Sequence, residues 1–367
     1  MKTLGSDAPV QRVTARAYTI PTDGEEADGT IHWHSTTIVI AQVEAGGMSG
    51  IGYAYASGAA VQVITDMLAN VVTGMDARDV TRAWVAMGVA VRNVGKPGIA
   101  SSAIAAVDTA LWDLKAKLAG QSLLDLLGAA RDEVAAYGSG GFTSYSDERL
   151  REQFSRWAGE GLTAVKMKIG EHPDADVERV TQARRAIGDG VELYVDANGA
   201  FHAKEALRYA DAFAELGVSW FEEPVSSGDL AGMRLVRDRG PSGMRIAAGE
   251  YGYTLHDQRR MLEANAVDVL QADATRCGGP CGFMRAAALC EAFNVPLSAH
   301  TAPTLHATLA CAAAPAINVE YFYDHARIER MLFDGAVEPR QGMLVPNRGE
   351  PGLGIALKTR DAELYAA

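Results

Sequence analysis

The stretch VELYVDAN, residues 191–198, is an apolar run that closes on an acid, Asp196. The same grammar recurs on either side: an apolar run, a charged or polar residue at its end, then a helix-like stretch. The other runs are VAAYGSGGF (134–142), LTAVKMKI (162–169), VSWFEEP (218–224), MRIAAGE (244–250), VDVLQAD (267–273), VPLSAH (295–300) and INVEYF (317–322). Helix-like stretches such as 176–187, 203–216 and 282–293 separate them. Runs apolar on both faces read as parallel strands covered by helices. Eight such units in roughly 200 residues fit a closed barrel better than an open doubly wound sheet.

Outside this region the pattern differs. From Val10 to about Tyr55, β-rich segments (VTARAYTI, TTIVIAQVE, GIGYAYA) alternate with Gly/Asp-rich turns such as TDGEEADG, which predicts an antiparallel meander. Apolar residues at helical spacing then predict helices over 61–74, 76–94 and 99–119, with Gly95-Lys96-Pro97-Gly98 breaking the second from the third. From Val337 onward short β segments and turns return, so the tail is expected to rejoin the N-terminal part. The expected domains are 1–132 (α+β), 133–334 (barrel) and 335–367 (returning tail).

The 367 residues carry 34 Lys plus Arg against 46 Asp plus Glu, a net charge of −12. So acidic a surface repels phosphate backbones and anionic lipid, which argues against nucleic-acid and membrane partners. The opening MKTLGSDAPVQR has no apolar core of a signal peptide, and no uncharged run approaches the roughly 18–20 residues of a spanning helix. The stretch 301–317, interrupted by Pro303, His306 and Pro315, reads as a buried loop and helix leading into a strand. Cys277, Cys281, Cys290 and Cys311 read as small buried thiols of a cytoplasmic protein, and no zinc spacing accompanies them.

The strand ends carry the chemistry, because barrel enzymes place their sites at that face. Asp196, Glu222 and Glu250 end three successive strands. Helix capping accounts for any single one of them but does not predict three in phase. Three carboxylates at one barrel mouth call for a hard dication with oxygen ligands, which suits Mg²⁺. One strand earlier, Lys166 and Lys168 at i and i+2 project to the same side. Mutual repulsion and a nearby dication are expected to lower a lysine pKa there. Across the mouth, Asp273 and His300 end adjacent strands, so the acid can orient the imidazole. Glu320 ends the eighth strand.

The strand-end set KMK (166–168), VDAN (195–198), WFEEP (220–224), AAGE (247–250), ADATRCGG (272–279), SAH (298–300) and NVE (318–320), together with AVDTALWDLKAKLAGQSLLDLLG (106–128), resembles the enolase superfamily, specifically its mandelate racemase subgroup. The resemblance spans nearly the whole chain. It implies an α/β fold, a modified TIM barrel of the form (β/α)7β with an α+β capping domain, and a homo-oligomer. It makes Asp196, Glu222 and Glu250 ligands of one Mg²⁺ per active site. Lys168 would be one acid/base catalyst, with Lys166 tuning it and contacting the substrate carboxylate, and His300 backed by Asp273 would serve the opposite face. Glu320 would donate a hydrogen bond to the intermediate, which requires a raised pKa.

The Asp273–His300 pair, where a sixth-strand lysine would otherwise stand, argues against the muconate-lactonizing and dipeptide-epimerase subgroup. Asn198 stands near where mannonate- and galactonate-type dehydratases carry a basic residue, leaving only His202 nearby and out of register; it counts here as a candidate substrate contact. The resemblance places selectivity in capping loops around 22–35 and 53–58, so His32, Trp33, His34, Tyr53 and Tyr55 are further candidate contacts, although plain strand alternation fits them equally. His172, His256 and His325 read as surface or loop residues, and His306 as more often core than site.

The expected activity is Mg²⁺-dependent abstraction of the α-proton of a hydroxy-carboxylate through an enediolate, foremost the dehydration of a sugar acid. The runner-up is a racemase, epimerase or cycloisomerase using the same residues; a barrel acting only as a binding module is the rival from another class.

Overall fold

The computed structural model describes residues 8–367. Three antiparallel strands come first, β1 (Arg12–Ala27), β2 (His32–Ala45) and β3 (Met48–Tyr55), in that order across the sheet. The β1–β2 register shifts between Pro21 and Glu26, which leaves Glu26 opposite Trp33 near the hairpin end. Such an irregularity re-aims the side chains beyond it. Helices follow at 59–72, with a π-helical turn at Ile64–Leu68, then at Val80–Ala90 and Ile99–Ala119. The second starts later than its spacing predicts. Residues 74–77 instead form a turn and an isolated bridge against the N-terminal chain, through Val10 N–H to Met75 O (2.8 Å) and Ala77 N–H to Ala8 O (2.9 Å).

The helix Ile99–Ala119 is the spine of this domain. Fifteen of its 21 residues are buried, so it is covered on nearly all sides, and Gly120 ends it in the left-handed conformation. One polar group on it joins three parts of the chain. Asp113 accepts from Ile51 N–H of β3 (2.8 Å) and from Leu353 N–H of the tail (2.7 Å), and pairs with Lys117.

The barrel has eight parallel strands: β4 (Val134–Gly140), β5 (Ala164–Lys168), β6 (Glu192–Asp196), β7 (Val218–Glu222), β8 (Arg245–Ala248), β9 (Val269–Ala272), β10 (Leu297–Ala299) and β11 (Ala316–Phe322). They pair in chain order, and β11 closes on β4. One helix connects each strand to the next, seven in all, which is the expected (β/α)7β form, and a further helix, Tyr323–Leu332, follows β11. The stretch after His300 forms the buried helix Pro303–Ala312 leading into β11. Below the strand ends, Tyr137, Tyr194 and Trp220 fill the interior, with Tyr194 and Trp220 stacked at 5.0 Å. The barrel is thereby a packed core with a site at one end.

The tail pairs Met343–Leu344 antiparallel with β4, then reaches the first sheet, where Thr19 N–H donates to Tyr365 O (2.8 Å). All four cysteines are buried and free. No helix among the described residues is long and apolar enough to cross a membrane.

The sheet is fastened to the barrel at Tyr53. Its hydroxyl donates to Glu329 Oε1 (2.7 Å) and accepts from Leu305 N–H (3.2 Å), while Thr304 N–H donates to Glu329 Oε2 (2.9 Å). All of this is buried, and burial pushes Glu329 from 4.5 up to about 7 against the pull of those donors. A raised folded-state pKa means that folding retains a proton the unfolded chain releases. The contribution is therefore complete below about pH 4.5 and lost as pH rises through about 7. Denaturant unfolding of Tyr53→Phe is expected to show a loss of about 1–3 kcal/mol. Glu329→Gln is expected to flatten the decline of stability between pH 5 and 8; an unchanged slope would exclude Glu329 as its source.

Candidate active site

Asp196 and Glu222 are the last residues of β6 and β7, and Glu250 stands two residues past β8. Gly249 brings Glu250 inward: its φ is +137°, and a Cβ there would collide with the carbonyl oxygen of Gln271. All three acids are buried, and one oxygen from each lies within 4.8 Å of the others. Backbone and indole donors fix them, Asn198 N–H to Asp196 Oδ1 (3.0 Å) and Trp220 Nε1–H to Glu222 Oε2 (3.1 Å). Glu250 Oε2 receives no hydrogen bond and has only His300 Nε2 at 3.4 Å. A buried all-oxygen set with an unpartnered carboxylate oxygen fits a hard dication such as Mg²⁺.

Lys166 and Lys168 both lie on β5, buried and on the same side of the strand. Lys166 is paired with Glu222, with Glu320 (2.8 Å) and with Asp196 (3.3 Å), and Lys168 with Asp196 (2.6 Å). On the other side of the mouth, His300 Nδ1 lies 2.9 Å from Asp273 Oδ2, leaving Nε2 facing Glu250 and Glu320 (3.6 Å). Thr275 N–H donates to the other Asp273 oxygen (2.7 Å). On one side only β11 and β4 separate the histidine strand from the lysine strand, and on the other β6 to β9 do, so the two bases face each other across the mouth.

With the protein's own charges alone, two of the expected shifts run the other way. Lys168 is held above the ordinary lysine value, not below it: burial is the largest influence and lowers it, and Lys166 adds to that, but Asp196, Glu250 and Glu320 together prevail. Lys166 likewise sits well above, its burial overcome by Glu222 and Glu320. Glu320 was expected to be raised and is lowered. Burial pushes it up, but Lys166 and His300 prevail, and Ser139 Oγ–H (2.6 Å) and Thr301 N–H (3.1 Å) donate to its two oxygens. The repulsion among the acids surfaces on Glu222, raised to about 8 by burial and Asp196. His300 is raised to about 10, since Glu250, Glu320 and the hydrogen bond it donates to Asp273 together exceed the opposing effect of burial. Asp273 is held below the usual carboxylate range by His300 despite its burial.

A cavity of about 490 Å³ lies between these strand ends and the first domain, lined by Lys168, Asn198, Glu250, Arg276, His300 and Glu320 from the barrel and by Asp28, Trp33, Ser35, Thr36 and Tyr55 from the cap. The β1–β2 hairpin reaches it because its tip is tied down. Asp28 Oδ1 accepts from Thr30 N–H (2.6 Å) and Ile31 N–H (2.9 Å), and Gly29 packs against the carbonyls of Ile169 and Ala197 where a Cβ would not fit.

Trp33 and Tyr55 thus meet the cavity, as expected of cap contacts, but three other candidates do not. Tyr53 is buried in the cap–barrel joint described above: it shares a face of β3 with Tyr55 but stands two residues back from the strand end. His32 points outward to Glu25 (3.1 Å) and Glu171 (2.9 Å), and His34, also exposed, to Glu25 (4.0 Å). They flank Trp33 and share the other face of β2. His325, expected at the surface, is buried, stacks on Tyr55 at 3.3 Å and lines the cavity. His306 is core: its Nε2 accepts from Ala274 N–H (2.8 Å), holding the loop after Asp273.

Two residues escaped the sequence reading. Arg276 bridges Glu250 (3.1 Å) and Asp273 (3.5 Å) at the cavity wall; the basic residue three positions past Asp273 was the available signal. Glu223, the second acid of FEEP, is buried at φ +37° with Oε1 unpartnered, and burial and Glu250 hold it well above the carboxylate range.

Comparison with known proteins agrees with this geometry. Residues 149–362 match the family described as enolase C-terminal domain-like, and residues 21–128 match the mandelate racemase/muconate lactonizing enzyme N-terminal domain. The chain is 34% identical over 361 residues to a 3,6-anhydro-alpha-L-galactonate cycloisomerase from Streptomyces coelicolor, covering 95% of this chain and 97% of that one. Among solved structures, a mandelate racemase/muconate lactonizing enzyme-like protein from Rubrobacter xylanophilus superposes with a TM-score of 0.96 at 49% identity, covering 98% and 100% of the two chains. An L-talarate/galactarate dehydratase from Salmonella typhimurium LT2, liganded with Mg and L-lyxarohydroxamate, gives 0.89 at 27% identity, covering 100% and 95%.

A dication bound by the folded acids but not by the unfolded chain must stabilise the fold, by about 2.7 kcal/mol at a hundredfold excess over Kd. Titrating Mg²⁺ into metal-stripped protein is therefore expected to raise the thermal midpoint in a saturable way, and Glu222→Gln to abolish that rise. A midpoint indifferent to Mg²⁺ would exclude the triad as its site.

Proposed function

The chain belongs to the mandelate racemase/muconate lactonizing enzyme family of the enolase superfamily, and on that premise we propose that it removes the α-proton of a hydroxylated carboxylic acid and eliminates the β-hydroxyl as water. The observation that supports this most directly is the placing of Lys168 and the Asp273–His300 pair on opposite sides of one cavity, with three clustered carboxylates between them.

The chemical difficulty is the acidity of the α-carbon, whose conjugate base is a dianionic enediolate. Asp196, Glu222 and Glu250 would hold Mg²⁺, which when bound supplies positive charge beside the substrate carboxylate. Lys166 adds a buried ammonium, fixed in place by Glu222 and Glu320. Glu320 acts here as a positioning residue, its oxygens occupied by Ser139, Thr301 and Lys166. Lys168 and His300 then divide the proton transfers: the one freed from the pull of Asp196 or Glu250 once those acids hold the metal would take the α-proton, and the other, still protonated, would deliver a proton to the departing hydroxyl. Asp273 fixes the imidazole so that Nε2 faces the cavity. Trp33 and the cap form the wall of the cavity above the strand ends.

A second reading keeps the same first step but proceeds without net loss of water, either returning the proton to carbon, as a racemase or epimerase does, or keeping the departing oxygen in the molecule by opening or closing a ring. The similarity over 95% of the chain to a cycloisomerase favours the latter.

Incubating the Mg²⁺-loaded protein with aldonic and aldaric acids in D₂O separates the two. A semicarbazide-reactive 2-keto-3-deoxy product is expected; α-deuteration with no keto product would establish isomerisation instead. Lys168→Ala and His300→Asn are each expected to lower kcat by about 10²–10⁴-fold. One of the two should keep α-exchange while losing product formation, and full activity in either variant would remove that residue from the mechanism.

A further inference from the structure

The cavity has two chemically different ends. At the barrel end stand its cationic groups, Lys168, Arg276 and His300, each bound to carboxylates of the same face. The opposite wall comes from the cap and from the residues that follow β11. It presents the indole of Trp33, the stacked pair of Tyr55 and His325, and the hydroxyl-bearing Ser35 and Thr36. Its one charged member is an acid, Asp28. Among the described residues, no lysine or arginine lines that wall. Arg327 lies nearby on the helix Tyr323–Leu332, but its guanidinium is engaged with Asp324 (2.6 Å) and the carbonyl of Pro21 (2.7 Å) and does not line the cavity. Burial also holds His325 well below its ordinary pKa, so the imidazole on this wall is neutral.

We infer that the substrate is a monocarboxylate sugar acid with an uncharged far end, an aldonate or a cyclic derivative of one, and not a dicarboxylate. The inference rests on the reaction proposed above for the orientation of the carboxylate toward Lys166 and the acidic triad. With the reacting carboxylate there, the other end of a six-carbon chain is directed at the cap wall. A second carboxylate would lose water against aromatic faces, find no counter-charge and be repelled by Asp28. A hydroxymethyl group or an anhydro ring meets hydroxyl partners and flat rings, which match the C–H faces and hydroxyls of a sugar chain.

The test uses matched acids, a six-carbon aldonate and the aldarate that differs only in having C6 oxidised. Turnover is measured on the Mg²⁺-loaded protein, and binding by calorimetry on Mg²⁺-loaded Lys168→Ala, where turnover does not interfere. Aldonates are expected to exceed their matched aldarates by about tenfold or more in kcat/KM and in affinity, since a site rejects a group whose polar atoms it leaves unpaired. Ser35→Arg is expected to narrow or reverse that ratio by strengthening aldarate binding. Aldarates bound or turned over as well as aldonates would overturn the inference. Aldonates bound preferentially with no α-exchange in the active protein would sustain it and instead overturn the proposed reaction.

Discussion

Three buried carboxylates held within 4.8 Å of one another are the constraint around which the barrel mouth is organised. Left alone they would repel and bind protons, and the upward shift of Glu222 shows how close the site stands to doing so. Their neighbours supply the opposing charge. Lys166 and Lys168 come from β5, Arg276 from the loop after β9, and His300 from the end of β10. These groups can only meet because a closed barrel brings the ends of strands distant in sequence around one axis. Gly249 is part of that arrangement, since no side chain could follow the path that turns Glu250 inward.

The first domain completes the site by a different kind of contact. It contributes no lysine, arginine or histidine among the described residues lining the cavity, but rings, hydroxyls, the aliphatic Ile31 and Ala56, and Asp28. Its position over the barrel depends on buried polar joints: Tyr53 with Glu329, Asp113 with β3 and the tail, and Asp108 accepting from Cys281 N–H (2.9 Å). Asp108, raised to about 7, and Glu329 are both pushed up by burial. The cap is therefore seated by acids strained by desolvation, while the barrel mouth is balanced by ion pairs. The cap's rings and hydroxyls and the barrel's charged groups thus sit on separate structural units that meet at one cavity.

Much of the site was legible because strand periodicity and strand ends are local features. The acids at 196, 222 and 250 stand one βα unit apart, and the alternation in KMK puts two ammonium groups on one side without reference to anything distant. The protonation states were not legible. The sequence shows Lys166 beside Lys168 and suggests repulsion, yet the charges nearest each lysine are carboxylates from β6, β7 and β11. His325 was unreadable for a related reason: it belongs to a surface-patterned helix, and only the packing of Tyr55 from β3 against it makes it a wall of the cavity.

The sequence by itself determined the barrel and the residues at its mouth, because apolar periodicity and strand-end acids are properties of the chain. Only the tertiary structure decided which cap residues face the cavity. Trp33 enters the cavity while His32 and His34 turn away, and Tyr55 enters while Tyr53 is buried in a joint. Alternation separates Trp33 from His32 and His34, whereas Tyr53 and Tyr55 share a face of β3, so which residues reach the cavity depends on how the sheet docks. Here that docking is fixed by the register shift in β1–β2 and by the tip at Gly29 seated on the barrel carbonyls.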